Sequence, residues 1–460
     1  MTETTRRTTN DMKQHTLTKN SPWAWIPTLY FAEGIPYVAV MTISVIMFKR
    51  FNLSNTDIAL YTSWLYLPWT IKFLWSPFVD LLKTKRWWIV TMQLLIGASL
   101  AGVAFSLPTP HWFQYSMAFF WLMAFSSATH DIAADGFYML GLNDKDQAFF
   151  VGIRNTFYRL AMISGQGLLI ILAGSLETID LQKMAECQSD NALIQFIYPL
   201  VERMGTIPFA WMVTFLLMAL LFVAFGFYHK RQLPHPAIDQ TRPDQRIADI
   251  FKAIGYTFTS FFKKEHSVLA IAFLLFYRFS EAQLLKLSSP FLLDDRAVGG
   301  LGLSTAAVGT VYGVVGVIAL IVGGILGGIA VSRHGLKKWI WPMVLCLTLP
   351  NLTSVYFAYA LPESLWIINA GVAFEQFGYG FGFTAYTIFM LHFSKGEHQT
   401  AHYAFCTAFM ALGMMIPGMF AGALQAWMGY QHFFIYVMVC TIVPIFLVAL
   451  LRPKLKHDAL

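Results

Sequence analysis

Charge is what this sequence has least of. Only 12% of its 460 residues are Asp, Glu, Lys or Arg, about half the share of an ordinary soluble domain, while 57% are hydrophobic and 16% aromatic. Such a chain cannot easily cover itself with polar surface, which excludes a disordered protein and a soluble multi-domain enzyme. Cysteine is scarce too. Cys346, Cys406 and Cys440 sit in apolar runs and Cys187 in a polar loop, so neither a disulfide framework nor a metal site is expected. The sequence also lacks a glycine loop leading into Gly-Lys-Ser or Gly-Lys-Thr, a nucleophile elbow and a metal-spaced His/Cys cluster. No enzyme chemistry and no cofactor is expected from it. The mean hydropathy of +0.55 points instead to a polytopic membrane protein.

What the chain has in quantity is apolar runs. About twelve are long enough to cross a bilayer core as helix, near 23–48, 57–80, 87–107, 112–141, 151–174, 206–228, 266–290, 304–331, 339–361, 364–391, 401–426 and 432–451. Backbone polar groups facing lipid must be satisfied within the segment, so the spans are expected to be helices. Residues 1–21 are polar and threonine-rich with no apolar core before a cleavage site, and the first span is expected to be the insertion signal.

Placing the N-terminus in the cytoplasm puts 22 of the 32 Lys and Arg in cytoplasmic segments and five in the opposite loops, among them Lys49, Arg50 and Arg296. Both termini are therefore expected to be cytoplasmic. The expected organisation is a tail 1–22, a six-helix bundle 23–228, a basic linker 229–265, a second six-helix bundle 266–451 and a tail 452–460. The fold class is all-α, with twelve transmembrane helices in two bundles. The net charge of +7 calls for no nucleic acid, because the bases lie where a membrane topology needs them.

A charge in mid-membrane costs at least about 2.5–3.5 kcal/mol, so each is a functional candidate. They fall in every third helix: Glu33 in the first, Asp131 and Asp135 in the fourth, Arg278, Glu281 and Lys286 in the seventh, Glu375 with Gln376 in the tenth. That periodicity predicts that these four helices line a polar, water-accessible surface. Asp131 and Asp135 share a helix face four residues apart, where two unpaired carboxylates would repel. Arg154, Arg159 and Lys72 are the expected counter-ions. Gly34 and Pro36 weaken the helix beside Glu33 and free a backbone carbonyl. Asp135, Asp131, Glu33, Glu375 and Glu281 are the candidate proton-coupling groups; the structural alternative is a static ion pair. Arg159, Arg154, Lys72, Arg278, Gln376 and Tyr37 are the candidate substrate contacts. Tyr30, Trp69, Phe137, Tyr158 and Tyr277 could stack on a ring of the solute or simply pack. His130 and His402 read more readily as satisfied buried histidines. The glycines at 309, 313, 316, 323, 324, 327 and 328 read as a close helix-packing face.

Two segments resemble each other and a known signature. Gly328-Ile-Ala-Val-Ser332-Arg333-His-Gly335-Leu-Lys-Lys and Ser76-Pro-Phe-Val-Asp80, followed by Lys83, Lys85 and Arg86, resemble the Gly-x-x-x-Asp-Arg-x-Gly-Arg-Arg loop of the major facilitator superfamily. The second copy carries Ser332 at the acidic position; the first lacks the glycine and an arginine after Asp80. The resemblance implies that Asp80, Lys85, Arg86, Arg333 and Gly335 form a conformational latch. Repeats of this kind build many carriers.

Denser strings narrow the resemblance. Lys72-Phe-Leu-Trp-Ser-Pro-Phe-Val-Asp80, Ala128-Thr-His-Asp-Ile-Ala-Ala-Asp-Gly136, Tyr158-Arg-Leu-Ala-Met162 and Glu33-Gly-Ile-Pro36 resemble the AmpG-type muropeptide permease and acetyl-CoA transporter family, with His130 where that family commonly has glutamine. The match is dense in the first six spans and thin in the second six. It implies a secondary carrier of the bacterial cytoplasmic membrane that imports a bulky, partly anionic solute by proton-coupled alternating access. Anhydro-muropeptide is the expected solute, with acetyl-CoA or another nucleotide- or peptide-like solute as the alternative. Its partners would be that small molecule, protons and the bilayer, with a monomer as the default state. A membrane-embedded enzyme and a transporter-shaped sensor are the readings of other classes.

Overall fold

The computed structural model describes residues 21–186, 192–236, 239–240, 247–396 and 399–455. Helices and the turns joining them account for the described residues, with no strand among them. Eight helices are long and apolar enough to cross a membrane, among them Pro22–Arg50, Lys85–Ser106, Thr206–Gln232 and Thr305–His334.

The other expected spans take different forms. Residues 55–82 form three short helices, Asn55–Trp64, Leu67–Ile71 and Ser76–Leu82, with a 3-10 turn at Lys72–Leu74, because Pro68 and Pro77 interrupt the backbone ladder. Trp112–Gly141 and Leu365–Ser394 are each 30 residues long. Their Ser, Thr, Gly, His, Asp and Glu residues keep them out of the eight. The two last expected spans are separate helices that part at Gly429, whose φ of 73° is not helical, and the second ends in the helix Ile442–Leu451.

Side chains begin several helices: Ser54, Thr84 and Ser304 each accept a hydrogen bond from the backbone N–H three residues on. Three spans contain π-helical stretches, Ala39–Ile43, Ser164–Leu169 and Gly309–Gly316. Such wide turns need an extra residue and often mark functional positions.

The chain divides into two compact units. Unit 1 comprises 1–37, 74–161 and 215–250; unit 2 comprises 38–73, 162–214 and 251–460. The core of unit 1 gathers Trp25, Tyr30, Ile89, Phe137 and Tyr138, and that of unit 2 gathers Phe261, Phe273, Tyr277, Tyr386 and Phe389. Lipid tails are as apolar as these side chains, so close packing rather than escape from water holds the helices.

Glycine makes that packing possible in unit 2. A Cβ on Gly313 would lie 1.9 Å from the carbonyl oxygen of Gln166, and one on Gly323 would lie 2.2 Å from that of Phe377. The glycine face expected from the sequence is therefore a backbone-to-backbone contact, with Gly328 open.

Candidate functional site

In unit 1, residues 22–37 and the helices Trp112–Gly141 and Asp144–Ile163 carry five of the ten expected charges, Glu33, Asp131, Asp135, Arg154 and Arg159. Arg154 Nη1 lies 3.2 Å from Asp135 Oδ1 and donates to Tyr30 Oη at 3.1 Å, while Tyr30 donates to the same carboxylate oxygen at 3.3 Å. The guanidinium also stands 4.6 Å above the Tyr30 ring centre and 5.2 Å from that of Tyr138. Glu33 acts electrostatically on both Tyr30 and Arg154. Tyr158 shares its neighbourhood with Tyr37, Asp131, Glu33 and Arg159.

The two aspartates of the helix, expected to behave alike, meet different surroundings. Asp131 is buried, whereas the Asp135 side chain is 45% exposed and its partner Arg154 is 26% exposed. Asp135 is thus open to solvent while it stands beside a cation. Gly34 is what allows the first helix this close. A Cβ there would sit 2.8 Å from the Ala161 Cβ and 3.0 Å from the Tyr158 carbonyl oxygen.

Unit 2 holds the second group of charges. Arg278 is buried and donates to Tyr379 Oη at 2.6 Å, with the rings of Tyr379 and Phe383 at 4.9 and 5.0 Å from its guanidinium carbon. Glu375 accepts from Tyr312 Oη at 3.0 Å and from Gln376 Nε2 at 3.3 Å. Glu281, also buried, lies within the fields of Arg278 and Glu375. Lys286 donates to Thr62 Oγ1 at 3.0 Å and faces the Tyr66 ring at 5.1 Å. Lys72 is half-buried on the 3-10 turn Lys72–Leu74.

The stacking candidates separate. Phe137 is fully buried in the core of unit 1, and Tyr277 lies stacked on Tyr386 with its hydroxyl on the Gly382 carbonyl oxygen at 3.0 Å, so both are packing residues. The latch residues are placed as follows. The Asp80 side chain lies outside the described residues. Arg86 donates from Nε to the carbonyl oxygen of Leu233 at 3.3 Å, and the backbone N–H groups of Lys85 and Arg86 donate to the Asp239 carboxylate at 2.8 and 3.1 Å. Arg333 is exposed at the end of its helix, and Gly335 takes φ 76° where the next helix begins.

Three buried polar groupings have no counterpart in the sequence reading. In unit 1, Thr28, His229, Gln93 and His130 form a chain with contacts of 2.9, 2.9 and 3.1 Å. In unit 2, Glu177 is approached by Arg50 Nε at 3.0 Å, Thr305 Oγ1 at 2.7 Å and Trp211 Nε1 at 2.8 Å. Also in unit 2, Asp294 pairs with Lys49 at 2.6 Å and accepts from Tyr430 at 2.6 Å, beside Asn55, which reaches Gln425 at 2.9 Å. Adjacent Lys49 and Arg50 were the visible signal, but a sequence places no carboxylate opposite them.

Among the described residues no cluster of three or more His, Cys, Asp or Glu side chains is arranged to hold a metal ion. The chemistry on offer is charge exchange: carboxylates, guanidinium groups and tyrosines within membrane-spanning helices.

Comparison with known proteins agrees with that chemistry. The family model described as Major Facilitator Superfamily matches residues 28–391. AmpG 4 of Rickettsia conorii is 24% identical over 446 residues, covering 93% of this chain and 96% of that protein. The anhydromuropeptide permease of Escherichia coli K12 is 22% identical over 437 residues, covering 93% of this chain and 79% of the permease. Among solved structures, a bacterial homologue of the human lysosomal transporter Spinster, inward-facing and unoccupied, superposes with a TM-score of 0.66 at 13% identity, covering 93% of this chain and 95% of its own. With a match over most of its length and helices apolar enough to span a bilayer, the chain is a multi-pass inner-membrane transporter belonging to the Major Facilitator Superfamily, with AmpG-type relatives.

Proposed function

We propose that this transporter imports a bulky, partly anionic solute of the anhydro-muropeptide class by proton-coupled alternating access, with twelve spans in two six-helix bundles and both termini cytoplasmic. The observation that carries the reading is the half-exposed Asp135–Arg154 pair, closed by the Tyr30 hydroxyl at 3.1 and 3.3 Å. A carboxylate next to a cation stays ionised, and it takes up a proton when the cation turns to another anion. An acidic solute that engages Arg154, or Arg159 in the same neighbourhood, would release Asp135 to be protonated. Glu33, Asp131, Glu281 and Glu375 are the further candidate acids, and Lys72, Arg278, Gln376 and Tyr37 the further candidate contacts. The similarity to the Escherichia coli anhydromuropeptide permease supports the solute class.

The test is uptake into proteoliposomes of radiolabelled anhydro-muropeptide, acetyl-CoA and a simple peptide, each with and without an inward proton gradient. Anhydro-muropeptide is expected to accumulate only with the gradient. Asp135→Asn is expected to lose gradient-driven uptake and to keep solute exchange. Full gradient-driven uptake by that variant removes Asp135 from the coupling, and preferential uptake of acetyl-CoA replaces the solute.

A further inference from the structure

On the linker side of unit 1, the start of Lys85–Ser106 and the end of Thr206–Gln232 enclose a groove of about 410 Å³. Its lining changes character along the two helices. At the linker end, its mouth, stand Arg86, Lys230 and Trp87; about one to two turns along the helices are Val90, Leu94 and Phe227. Leu94 is 38% and Phe227 61% exposed, which is where bilayer chains reach a membrane-spanning helix. Gly226 also lines the groove and lets Leu94 pack against its backbone, since a Cβ there would lie 2.7 Å from Leu94 Cδ2. Trp87, 44% exposed at the first turn of its helix, sits where aromatic residues mark the headgroup level.

The cations at the mouth are only partly engaged by protein. Arg86 donates to the carbonyl oxygens of Leu233 and Lys230, two of the five N–H groups a guanidinium offers. Lys230 is exposed and makes no ion pair among the described residues. Asp239 turns its carboxylate onto the backbone N–H groups of Lys85 and Arg86, and its charge also acts on the Arg86 guanidinium. The helix start is therefore already occupied by an anion that balances part of the Arg86 charge, and the remaining donors of Arg86 and the Lys230 ammonium face the groove's opening for another.

Two cations over an apolar slot at the headgroup level match one chemical class. We propose that this groove binds an anionic phospholipid, its phosphate between Arg86 and Lys230 and one acyl chain along Leu94 and Phe227. A zwitterionic lipid would bring an ammonium group against both cations, and a free phosphate would leave the apolar walls uncovered. Basic pockets between membrane helices commonly select anionic headgroups in this way. The proposal does not depend on the transported solute.

The experiment uses the full-length protein in detergent, exchanged into dioleoyl-phosphatidylglycerol or dioleoyl-phosphatidylethanolamine, with retained lipid counted by native mass spectrometry. One phosphatidylglycerol is expected to be retained, at least about tenfold in preference to phosphatidylethanolamine. Lys230→Gln is expected to weaken retention about fivefold, and Arg86→Gln with Lys230→Gln about thirtyfold. Arg86 also ties two backbone carbonyls, so the single Lys230→Gln variant, whose backbone carbonyl still serves Arg86, decides if the double variant fails to fold. Thr91→Phe, which fills the groove and keeps both cations, is expected to abolish retention. Equal retention of the two lipids, wild-type retention by Lys230→Gln or by Thr91→Phe, or displacement of phosphatidylglycerol by millimolar sodium phosphate would each overturn the proposal.

Discussion

The buried carboxylate of Glu177 offers a quantitative test of the packing in unit 2. Its side chain is 5% exposed and accepts from three donors, Trp211 on Oε1 and Arg50 and Thr305 on Oε2. In Glu177→Gln the side chain keeps one acceptor oxygen and gains an NH2 group. Turning that oxygen toward Arg50 and Thr305 saves two contacts and sets the amide against the Trp211 N–H, donor against donor. The Arg50 pair contributes less than its 3.0 Å separation suggests, because Arg50 is 33% exposed and solvent screens it. The Trp211 indole is fully buried, so its bond to the carboxylate carries a full charge-assisted contribution of about 1.5–3 kcal/mol. A double-mutant cycle reads that bond together with the donor–donor contact that Gln creates: Glu177→Gln, Trp211→Phe and the pair, each followed by far-UV circular dichroism during denaturant unfolding in mixed micelles. The expected coupling energy is at least about 1.5–3 kcal/mol. Additivity of the two single effects to within about 0.5 kcal/mol would refute the interaction.

Two further outcomes follow from the contacts described. Gly313→Ala and Gly323→Ala drive a Cβ to 1.9 and 2.2 Å from a carbonyl oxygen, and both are expected to lose the monodisperse peak on size-exclusion chromatography, whereas Gly328→Ala, with open space, keeps it. Gln93→Leu leaves His130 and His229 without their shared amide, and it is expected to lower unfolding stability by about 1–3 kcal/mol for each ring nitrogen left without that partner, read by the same circular dichroism assay.

Much of the arrangement could be read in the chain before its structure. Apolar runs located the helices, and the charges of the first, fourth and fifth spans proved to be one electrostatic neighbourhood because helical spacing sets which side chains share a face. Asp135 found its counter-ion in Arg154, as the sequence suggested, but its Tyr30 partner lies 105 residues away, and nothing local specifies it. In the sequence Glu177 is only an acid three residues beyond the expected span 151–174. Its importance depends on Arg50 and Thr305, separated from it by 127 and 128 residues, and periodicity carries no information about such pairs. The second helix was expected to be continuous because hydropathy averages over Pro68 and Pro77, while the backbone responds to each one. From the sequence His130 reads as a satisfied buried histidine, and Gln93 does contact it; that the same amide also serves His229 requires knowing which helices adjoin.

The wide turns at 39–43, 164–169 and 309–316 have a geometrical effect beyond their own length. Each inserts roughly one residue into a 3.6-residue winding, so everything downstream is rotated by about 100° about the helix axis relative to an unbroken α-helix. A helical wheel drawn straight through Gly309–Gly316 thus assigns Gly323 and Gly327 to the wrong side of the cylinder. Excising one residue there would straighten the winding and swing those glycines off the Phe377 and Phe381 carbonyls that they now meet, so a deletion, more than any substitution, measures how far the bulge aims the rest of its span.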